Sequence, residues 1–423
     1  MTGKPCVLIV APHGSYRTMP FIAAAERLGI RALIASEGKH SIVSAYAQGI
    51  HIDFREEEQA LQELLRAAAQ HHIIGVIGTD DTTTELAAQL AQVLELPHND
   101  PAAVRIARRK DQARARLAAH AVPIPSHRRI DLAHALLNQL NDVRFPVVVK
   151  PVALSASRGV IRANNQSELF TAITRVQQLL HSINDLEPDE QRYLLLEQYI
   201  PGAEIAVEAM LYRGQLQILT IFDKPDALEG PFFEETYYIT PTRLSLAQQD
   251  EVKRVVQLAC EAYGLQEGPV HAECRINHDG VFILEVAART IGGLCGRLLR
   301  FGTGCSLEEL VLAQAMGKPL TLSSDGGAAG VLMIPIPKAG MLKRVEGLLD
   351  AQRIPFIEDI SIQVREGHEL VPLPEGASYL GFVFARAPSV QQAEQALRNA
   401  HACLNFVIAP IWKLNQGPSA CVA

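Results

Sequence analysis

The first hundred residues alternate between short apolar runs and amphipathic stretches, and this alternation limits the fold more than any other feature of the chain. Strands that alternate with helices of this length predict a parallel, doubly wound sheet. Ligands of such sheets bind at the carboxyl ends of the strands, where His13-Gly14-Ser15 and Thr79-Asp80-Asp81 follow two of the apolar runs. No GxGxxG motif follows the first run, which argues against a dinucleotide site. The predicted strands cover 7–11, 31–35 and 73–78, and the predicted helices cover 18–28, 56–70 and 84–94.

Length and charge narrow the class of protein. At about 150 residues per domain, 423 residues predict roughly three domains. The 39 basic and 46 acidic residues give a net charge of −7, which argues against a nucleic-acid partner. The chain has no apolar run long enough to span a membrane, and its N-terminal run is too short for a signal sequence. Widely spaced cysteines without a CxxC pair predict buried, reduced thiols. We therefore expect a cytoplasmic protein with neither membrane nor nucleic-acid partners.

The chain beyond Pro97 divides into two further regions, separated by a predicted linker at 323–327. A small α+β unit is predicted beyond this linker, followed by a frayed tail at 415–423. The predicted strands cover 147–150, 193–198, 204–212, 330–336 and 379–385, a hairpin covers 270–287, and the predicted helices cover 101–119, 166–180, 245–263 and 390–404.

The hairpin carries the most informative pair of side chains. A three-residue loop, 278–280, with Gly280 in the left-handed conformation would place Glu273 directly opposite Glu285. Two carboxylates that close together repel each other unless a cation lies between them, which favours a magnesium site. A two-residue Asp-Gly turn would instead put them on opposite faces, and spacing alone leaves both registers open. Glu285 lies in an otherwise apolar strand, which favours a functional carboxylate.

Arg289 follows the hairpin and precedes the pair Gly292-Gly293. Glycine lets backbone N–H groups approach an anionic ligand, and an arginine beside them can stabilise a developing oxyanion. A Gly-Gly pair is also common in ordinary turns, so this motif alone is a weak signal.

Lys150 ends an apolar strand and precedes a loop of small residues. A lysine at a strand end is commonly solvated, but it can also reach a phosphate. The loop, Ser155–Val160, contains two hydroxyls, Arg158 and Gly159, and such a loop can fold over phosphates through its main-chain N–H groups. It is not a P-loop, because GxxxxGK[ST] occurs nowhere in the chain.

A second apolar strand, 193–198, is followed by a Pro201-Gly202 turn and by Glu204. A base held between apolar side chains can hydrogen-bond to the backbone around Gln198 and Ile200, and Glu204 can bind a ribose diol. Each of these features is ordinary by itself.

Taken together and in this order, the elements between about residues 100 and 320 resemble the ATP-grasp superfamily. The resemblance implies an α/β fold with ATP-grasp architecture: a doubly wound parallel-sheet domain (1–98), a nucleotide-binding domain (99–322) and a small α+β C-terminal segment (328–414). A lid subdomain is implied at 155–212. The resemblance also implies the hairpin register that pairs Glu273 with Glu285.

The resemblance further implies a role for each matching residue. Glu273 and Glu285 correspond to the magnesium ligands, and Arg289 with Lys150 to the catalytic residues. The residues implied to bind ATP are Lys110, Lys150, Ser155, Ser157, Arg158, Gly159, Glu197, Gln198, Ile200 and Glu204.

One position departs from the pattern of the superfamily. Ala287 stands where Glu-x-Asn-x-Arg has an asparagine that assists the second metal ion. This implies a second magnesium shell that is weaker or completed by water. Alanine at this position is similar to the purine-biosynthetic branch, so it does not indicate an inactive site. The implied cofactors are ATP and two Mg²⁺ ions, for which Mn²⁺ can substitute.

The segment from Phe222 to Pro241 resembles ligases that join a carboxylate to an amine, with L-amino-acid (dipeptide) ligases as the nearest subclass. Glu235 has the spacing of a substrate-site glutamate in those ligases, although a solvated loop acid is an equal alternative. Lys224 is a weaker candidate, for contact with the γ-phosphate. Gly292 and Gly293 complete the expected substrate residues.

We therefore expect an ATP-dependent ligase that activates a carboxylate as an acyl phosphate and joins it to an amine, releasing ADP and phosphate. The expected partners are small-molecule carboxylate and amine substrates, and a homodimer is the usual state of such folds. One alternative is a purine-biosynthesis-type transferase or carboxylase acting on a ribonucleotide amine. Another is a non-catalytic nucleotide sensor, against which the retained carboxylates and Arg289 argue.

Overall fold

The computed structural model describes residues 4–13, 15–37, 48–184, 186–318 and 326–411, which form four β-sheets. Gly14, most of the predicted linker at 323–327 and the tail at 415–423 lie outside the described residues. Within the described ranges, no helix combines the length and the apolar character needed to cross a membrane. Cys6, Cys260, Cys274 and Cys295 are buried free thiols.

The N-terminal sheet is parallel and has the strand order β3-β2-β1-β4. Alternate residues of β1 pack on opposite faces: Ile9 against Phe21 on one face, and Leu8 against Leu64 on the other. Burial on both faces explains the continuous apolar runs, and it confirms the doubly wound sheet. The elements are β1 (Cys6–Val10), α1 (Thr18–Arg27), β2 (Arg31–Ser36), β3 (Gln48–His51), α2 (Glu57–Ala68), β4 (Ile73–Gly78) and α3 (Thr84–Val93).

The single helix predicted over 101–119 is wrong, because the structure has two helices there: α4 (Pro101–Arg108) and α5 (Lys110–Ala119). Arg109 between them has an extended backbone, with φ −95° and ψ 103°. The N–H of Lys110 donates to the carbonyl of Val152 at 2.8 Å. This long-range bond replaces the helical one and brings the first turn of α5 next to the strand that ends at Pro151.

A second sheet has four antiparallel strands in the order β5-β8-β6-β7. It starts at His127 and ends at Gln198, whereas 203–212 belongs to a different sheet, so the range 155–212 expected to form the lid is divided between two sheets. We refer to residues 127–198 as the lid, to 155–160 as the lid loop and to the helix 166–181 as the lid helix. The elements are β5 (His127–Asp131), α6 (Leu136–Gln139), β6 (Val147–Pro151), β7 (Ile161–Ala163), α7 (Gln166–His181), α8 (Pro188–Arg192) and β8 (Tyr193–Gln198).

The largest sheet has eight strands and runs through both the central and the C-terminal regions. Its members are β9 (Ala203–Tyr212), β10 (Gln215–Asp223), β11 (Tyr237–Thr240), β12 (Gly268–Asn277), β13 (Gly280–Ala287), β14 (Ala328–Ile334), β16 (Ile357–Ile362) and β18 (Gly381–Ala387). Because β11 pairs with β14, the C-terminal segment extends the central sheet and does not form a separate layer.

Helices pack on this sheet, and a three-stranded sheet of order β17-β15-β19 lies at the C-terminal end. Helix α9 buries Val252 and Val256 in one apolar cluster with β9, β12 and β13. The remaining elements are α9 (Leu246–Tyr263), α10 (Arg297–Thr303), α11 (Leu307–Ala315), β15 (Gly340–Glu346), α12 (Leu348–Gln352), β17 (Glu369–Leu370), α13 (Val390–Cys403) and β19 (Asn405–Ala409).

Candidate active site

A cavity of about 590 Å³ lies where the N-terminal sheet, the lid and the eight-stranded sheet meet. Its volume falls in the range of small-molecule sites. Three of the predicted site residues, Arg158, Gly159 and Lys224, do not line it. The predicted residues that do are Lys110, Lys150, Ser155, Ser157, Glu197, Gln198, Ile200, Glu204, Glu235, Glu273, Glu285, Arg289, Gly292 and Gly293.

One end of the cavity is organised around Glu197, which is almost completely buried. Its carboxylate accepts from Lys150 Nζ at 2.6 Å and from Arg114 Nε at 2.5 Å. Burial alone would raise the pKa of Glu197, but the two cations outweigh it and lower the pKa to about 2. Glu197 therefore fixes the Lys150 side chain at the cavity wall. Arg114 was not predicted, because its helix pattern resembles an ordinary solvated face.

The depressed pKa of Glu197 predicts a defined pH dependence of stability. A carboxylate whose folded pKa lies near 2, against about 4.3 unfolded, stabilises the fold fully above about pH 5 and loses this contribution as the pH falls toward 2, by about 3 kcal/mol. We expect the urea concentration at the unfolding midpoint of the ligand-free protein to decrease as the pH is lowered from 5 to 3. Glu197→Gln should be less stable at pH 7 and should show a flatter profile over this interval. If the urea midpoints of the two proteins changed with pH in parallel, the lowered pKa of Glu197 would be contradicted.

The hairpin brings Glu273 opposite Glu285, but not through the expected loop. The turn has two residues, His278-Asp279, and Asn277 pairs with Gly280, so the three-residue loop was wrong. A β-bulge at Leu284 shifts the register by one residue and restores the Glu273–Glu285 pair. The Leu284 carbonyl accepts from Arg114 Nη2 at 2.5 Å. The predicted pairing is thus confirmed, and its cause is the bulge.

The two paired carboxylates face different cations. Glu285 Oε2 lies 3.4 Å from Lys110 Nζ, which also donates to the Leu154 carbonyl at 2.7 Å. Glu273 Oε1 lies 3.6 Å from Lys224 Nζ and 3.7 Å from His271 Nε2. Each carboxylate remains partly open to the cavity, with 25% and 32% of the Glu273 and Glu285 side chains exposed.

Lys224 lies behind the cavity wall in the middle of three carboxylates. Its ammonium contacts Glu204 Oε1 at 2.9 Å, Glu235 and Glu273. The ligand oxygens of these three glutamates lie within 4.8 Å of one another. Burial would lower the pKa of Lys224, but the carboxylates raise it well above its ordinary value. The ammonium group therefore offsets part of the negative charge of this cluster.

The donor set tests which carboxylates fit a divalent metal ion. Glu204, Glu235 and Glu273 could surround an ion, but the ammonium of Lys224 already lies among them. Glu273 and Glu285 share a face of the hairpin at the cavity wall and supply the hard oxygen ligands that Mg²⁺ prefers. The pair therefore fits a metal ion that also contacts a phosphate, whereas the triad is filled by the chain itself.

Arg289 is buried and held by the N-terminal domain. Its Nε donates to Asp81 Oδ1 at 2.8 Å, and its Nη1 donates to the Thr290 carbonyl at 3.0 Å. Burial would raise the pKa of Asp81, but Arg289 outweighs it and lowers the pKa. Asp81 follows β4, at the carboxyl ends of the strands, where ligands of parallel sheets bind. This position at a strand end was the only sequence signal for Asp81, and it did not predict the contact with Arg289.

The loop after Arg289 is fixed from both sides. Arg17, which follows β1, donates through Nη2 to the Ile291 carbonyl at 3.2 Å and forms an ion pair with Asp80 at 3.0 Å. Gly293 has φ +61°, and a Cβ there would lie 3.0 Å from the Phe382 ring. Only glycine fits this position without strain. The backbone of this loop therefore lines the cavity directly.

A buried Glu208–His271 pair links this loop to Glu273. Both carboxylate oxygens of Glu208 accept from the Ile291 N–H at 3.1 Å, and Glu208 Oε2 lies 3.2 Å from His271 Nδ1. Burial would lower the pKa of His271, but Glu208 and Glu273 raise it to about 9. His271 lies two residues before Glu273 on β12 and therefore shares its strand face, but no motif in the sequence singled it out.

Aromatic and apolar side chains form the cavity wall beyond Arg289. They come from the N-terminal loop, the central region and the C-terminal segment, which no local pattern connects to one another. These residues are Tyr16, Tyr238, Leu294, Met333, Tyr379 and Phe382. The cavity therefore has a charged end near Lys150 and a largely aromatic end near Tyr379.

Three family models match separate parts of the chain. The ATP-grasp N-terminal domain matches residues 22–98, the ATP-grasp domain matches 143–297, and the L-amino acid ligase C-terminal domain 2 matches 332–409. The three matches follow the order of the N-terminal sheet, the lid with the central sheet, and the C-terminal segment.

Individual relatives agree with these matches. An uncharacterized protein of Sinorhizobium fredii is 25% identical over 404 residues, covering 94% of this chain and 82% of the relative. Human carnosine synthase 1 is 27% identical over 362 residues, covering 79% of this chain but only 43% of that enzyme. The crystal structure of an L-amino acid ligase from Bacillus licheniformis superposes with a TM-score of 0.80 at 24% identity, covering 96% of this chain and 100% of that one.

The two ATP-grasp matches and the fold define an enzyme built on an ATP-grasp domain. The chain belongs to the ATP-grasp superfamily and is an enzyme of its carboxylate–amine ligase branch. Membership in this superfamily implies the use of ATP with a divalent metal ion.

Proposed function

We propose that this chain activates a carboxylate as an acyl phosphate at the expense of ATP and joins it to an amine, with release of ADP and phosphate. One observation carries the proposal: a single cavity contains two lysines, a facing pair of carboxylates and a buried arginine. These are the groups that phosphoryl transfer to a carboxylate requires. The L-amino acid ligase model that matches 332–409 supports this reaction class.

In the proposed reaction, the residues around Glu197 bind and orient ATP. These residues all line the cavity. Lys150 and Lys110 would contact the phosphates, Gln198 and Ile200 the base, and Glu204 the ribose. Two Mg²⁺ ions, or Mn²⁺ in their place, would be held at Glu273 and Glu285 and would neutralise phosphate charge. Ala287, a buried residue, adds no ligand to the second ion.

Arg289 then acts on the carboxylate substrate. A carboxylate oxygen attacks the γ-phosphorus, the bond to the ADP oxygen breaks, and Arg289 stabilises the charge on the transferred group. The amine nitrogen next attacks the acyl carbon, and the bond to phosphate breaks with loss of a proton. The lid loop, residues 155–160, excludes water, which would otherwise hydrolyse the acyl phosphate.

The aromatic end of the cavity supports amino acids as substrates. Asp80, Asp81 and Glu235 line the same cavity as Tyr379 and Phe382 and are paired with Arg17, Arg289 and Lys224 in the ligand-free protein. Carboxylates of this kind can accept an ammonium group, while the aromatic wall favours an apolar side chain. Glu235 is accordingly proposed as a substrate contact, together with the backbone of Gly292 and Gly293. Lys224 is proposed to act indirectly, by holding Glu235 and Glu273.

The test is a phosphate-release screen over pairs of amino acids, with mass spectrometry of the products. We expect ATP-dependent release that needs an amino acid pair, together with a product smaller by one water than the sum of the two. Glycinamide-type ribonucleotides form the comparison set for the purine-biosynthetic alternative. Release with the ribonucleotide amine alone would contradict the proposal, and ATP binding without release across the whole panel would indicate a nucleotide sensor. The cytoplasmic location and the homodimer remain predictions.

A further inference from the structure

The loop expected to cover ATP is attached to the C-terminal segment. The Gly159 N–H donates to the Pro374 carbonyl at 2.8 Å, and Arg158 Nε donates to the Glu375 carbonyl at 2.8 Å. Arg158, expected to bind ATP, therefore points away from the cavity and holds the loop from outside. We call residues 372–376 the C-terminal strap.

An ion pair joins the strap to the lid helix. The carboxylate of Glu375 binds Arg175 of α7 in a bidentate arrangement, at 2.5 and 2.9 Å. Such planar, two-point contacts fix orientation better than a single-point pair does. The strap thus contacts both the lid loop and the lid helix, while residues 377–379 immediately after it line the aromatic end of the cavity.

The lid loop needs such support because its backbone is strained. Ala156 and Ser157 both have left-handed conformations, with φ values of 55° and 54°. Residues with a Cβ adopt this region rarely and only where surrounding contacts hold them there. Gly159, with φ +72°, packs against Pro151, and a Cβ there would lie 2.7 Å from that ring. The strap carbonyls lie at the end of this strained turn.

We propose that Glu375 is a positioning residue for the reaction: through Arg175 it seats the C-terminal strap against the lid, and the strap holds the loop 155–160 closed over ATP. The inference rests on the proposed function for its consequence, the exclusion of water from the acyl phosphate. It also gives the C-terminal segment a task that the nucleotide-binding residues do not perform. Glu375 itself lies outside the cavity wall.

The decisive variant is Glu375→Ala, compared with a matched control. Arg254 and Glu251 form an equally bidentate exposed pair on α9, at 2.7 and 2.7 Å, so Glu251→Ala removes the same kind of contact away from the lid. We expect peptides covering 153–162 to exchange amide hydrogen about fivefold faster in Glu375→Ala and within about twofold of wild type in Glu251→Ala. The expected increase in exchange rate is modest because a second contact also holds this segment: the Arg162 N–H of β7 donates to the Pro231 carbonyl at 2.9 Å.

Two functional readouts accompany the exchange measurement. The KM for ATP should rise about fivefold in Glu375→Ala with little change in kcat for ADP formation, and more ADP should form per amide made. The double variant Glu375→Arg with Arg175→Glu should restore exchange and coupling to within about twofold. Unchanged exchange in Glu375→Ala, a change equal to that of Glu251→Ala, or failure of the reversed pair to restore it would overturn the proposal. If wild type makes no amide with any substrate pair, the proposed function fails, while the exchange measurement still tests the strap.

Discussion

Replacing Arg289 with lysine is expected to lower kcat for ADP-coupled amide formation by about 10³-fold, with little change in the KM for ATP. Lysine keeps the positive charge beside Asp81, so the fold should survive, but it lacks the planar fork that Arg289 uses. One side of that fork is already committed, since Nε donates to Asp81 and Nη1 to the Thr290 carbonyl. Nη2 is the remaining nitrogen, and Arg289 lines the cavity. Single-turnover measurements with saturating ATP would separate this loss from weaker binding.

Asp81→Asn provides a second, independent test of the interaction between Asp81 and Arg289. If Asp81 only orients Arg289, its loss should lower kcat less than Arg289→Lys does, and the double variant should be no slower than Arg289→Lys alone. Arg254→Lys, on the exposed face of α9, is the matched control and should leave kcat unchanged. Retention of a third or more of the wild-type rate by Arg289→Lys would show that Arg289 does not touch the reacting groups.

Glu285→Gln is expected to reduce ATP-dependent product formation by at least about 10²-fold, because the amide keeps the shape of the side chain but loses the charge that holds a divalent ion. Glu273→Gln should have a comparable effect. The facing arrangement of the two carboxylates predicts a second signature: the Mg²⁺ concentration at half-maximal nucleotide binding should rise in both variants. Titration of Mn²⁺ by electron paramagnetic resonance, with and without a non-hydrolysable ATP analogue, measures this independently of turnover.

Glu251→Gln on α9 serves as the charge-matched control for these metal titrations. Lys110 complicates the interpretation for Glu285, since its ammonium lies 3.4 Å from that carboxylate. A Lys110→Met variant should therefore weaken ATP binding without raising the Mg²⁺ requirement as Glu285→Gln does. Full ATP-dependent product formation by Glu285→Gln would remove this residue from the metal site.

Local patterns in the sequence predicted much of the fold because they report how each segment is buried. The runs at 7–11, 31–35 and 73–78 are continuous since both faces of the N-terminal sheet are covered, and the structure has strands there. The helix predicted over 101–119 failed for a tertiary reason. The Val152 carbonyl accepts a hydrogen bond from the Lys110 N–H, and no local property of residues 108–110 predicts that bond.

The residues around the cavity divide in the same way. Lys150, Glu197, Glu273, Glu285 and Arg289 lie on strands and turns whose order along the chain resembles a known superfamily, so their types and spacing were informative. The partners of these residues come from distant positions: Asp81 lies 208 residues before Arg289, and Arg114 lies 83 residues before Glu197. Pairing at such distances depends on how the domains pack.

What the sequence by itself determined was the doubly wound N-terminal sheet, the superfamily and the kinds of groups expected to bind phosphate and metal. Tertiary structure alone decided that a bulge at Leu284 brings Glu273 and Glu285 together, that the ammonium of Lys224 lies among the three neighbouring glutamates, and that Arg158 bonds to the C-terminal strap. The physical reason is that periodicity reports burial along one element. Hydrogen bonds and ion pairs between elements depend on relative positions, and these are set only when the sheets and the lid pack against one another.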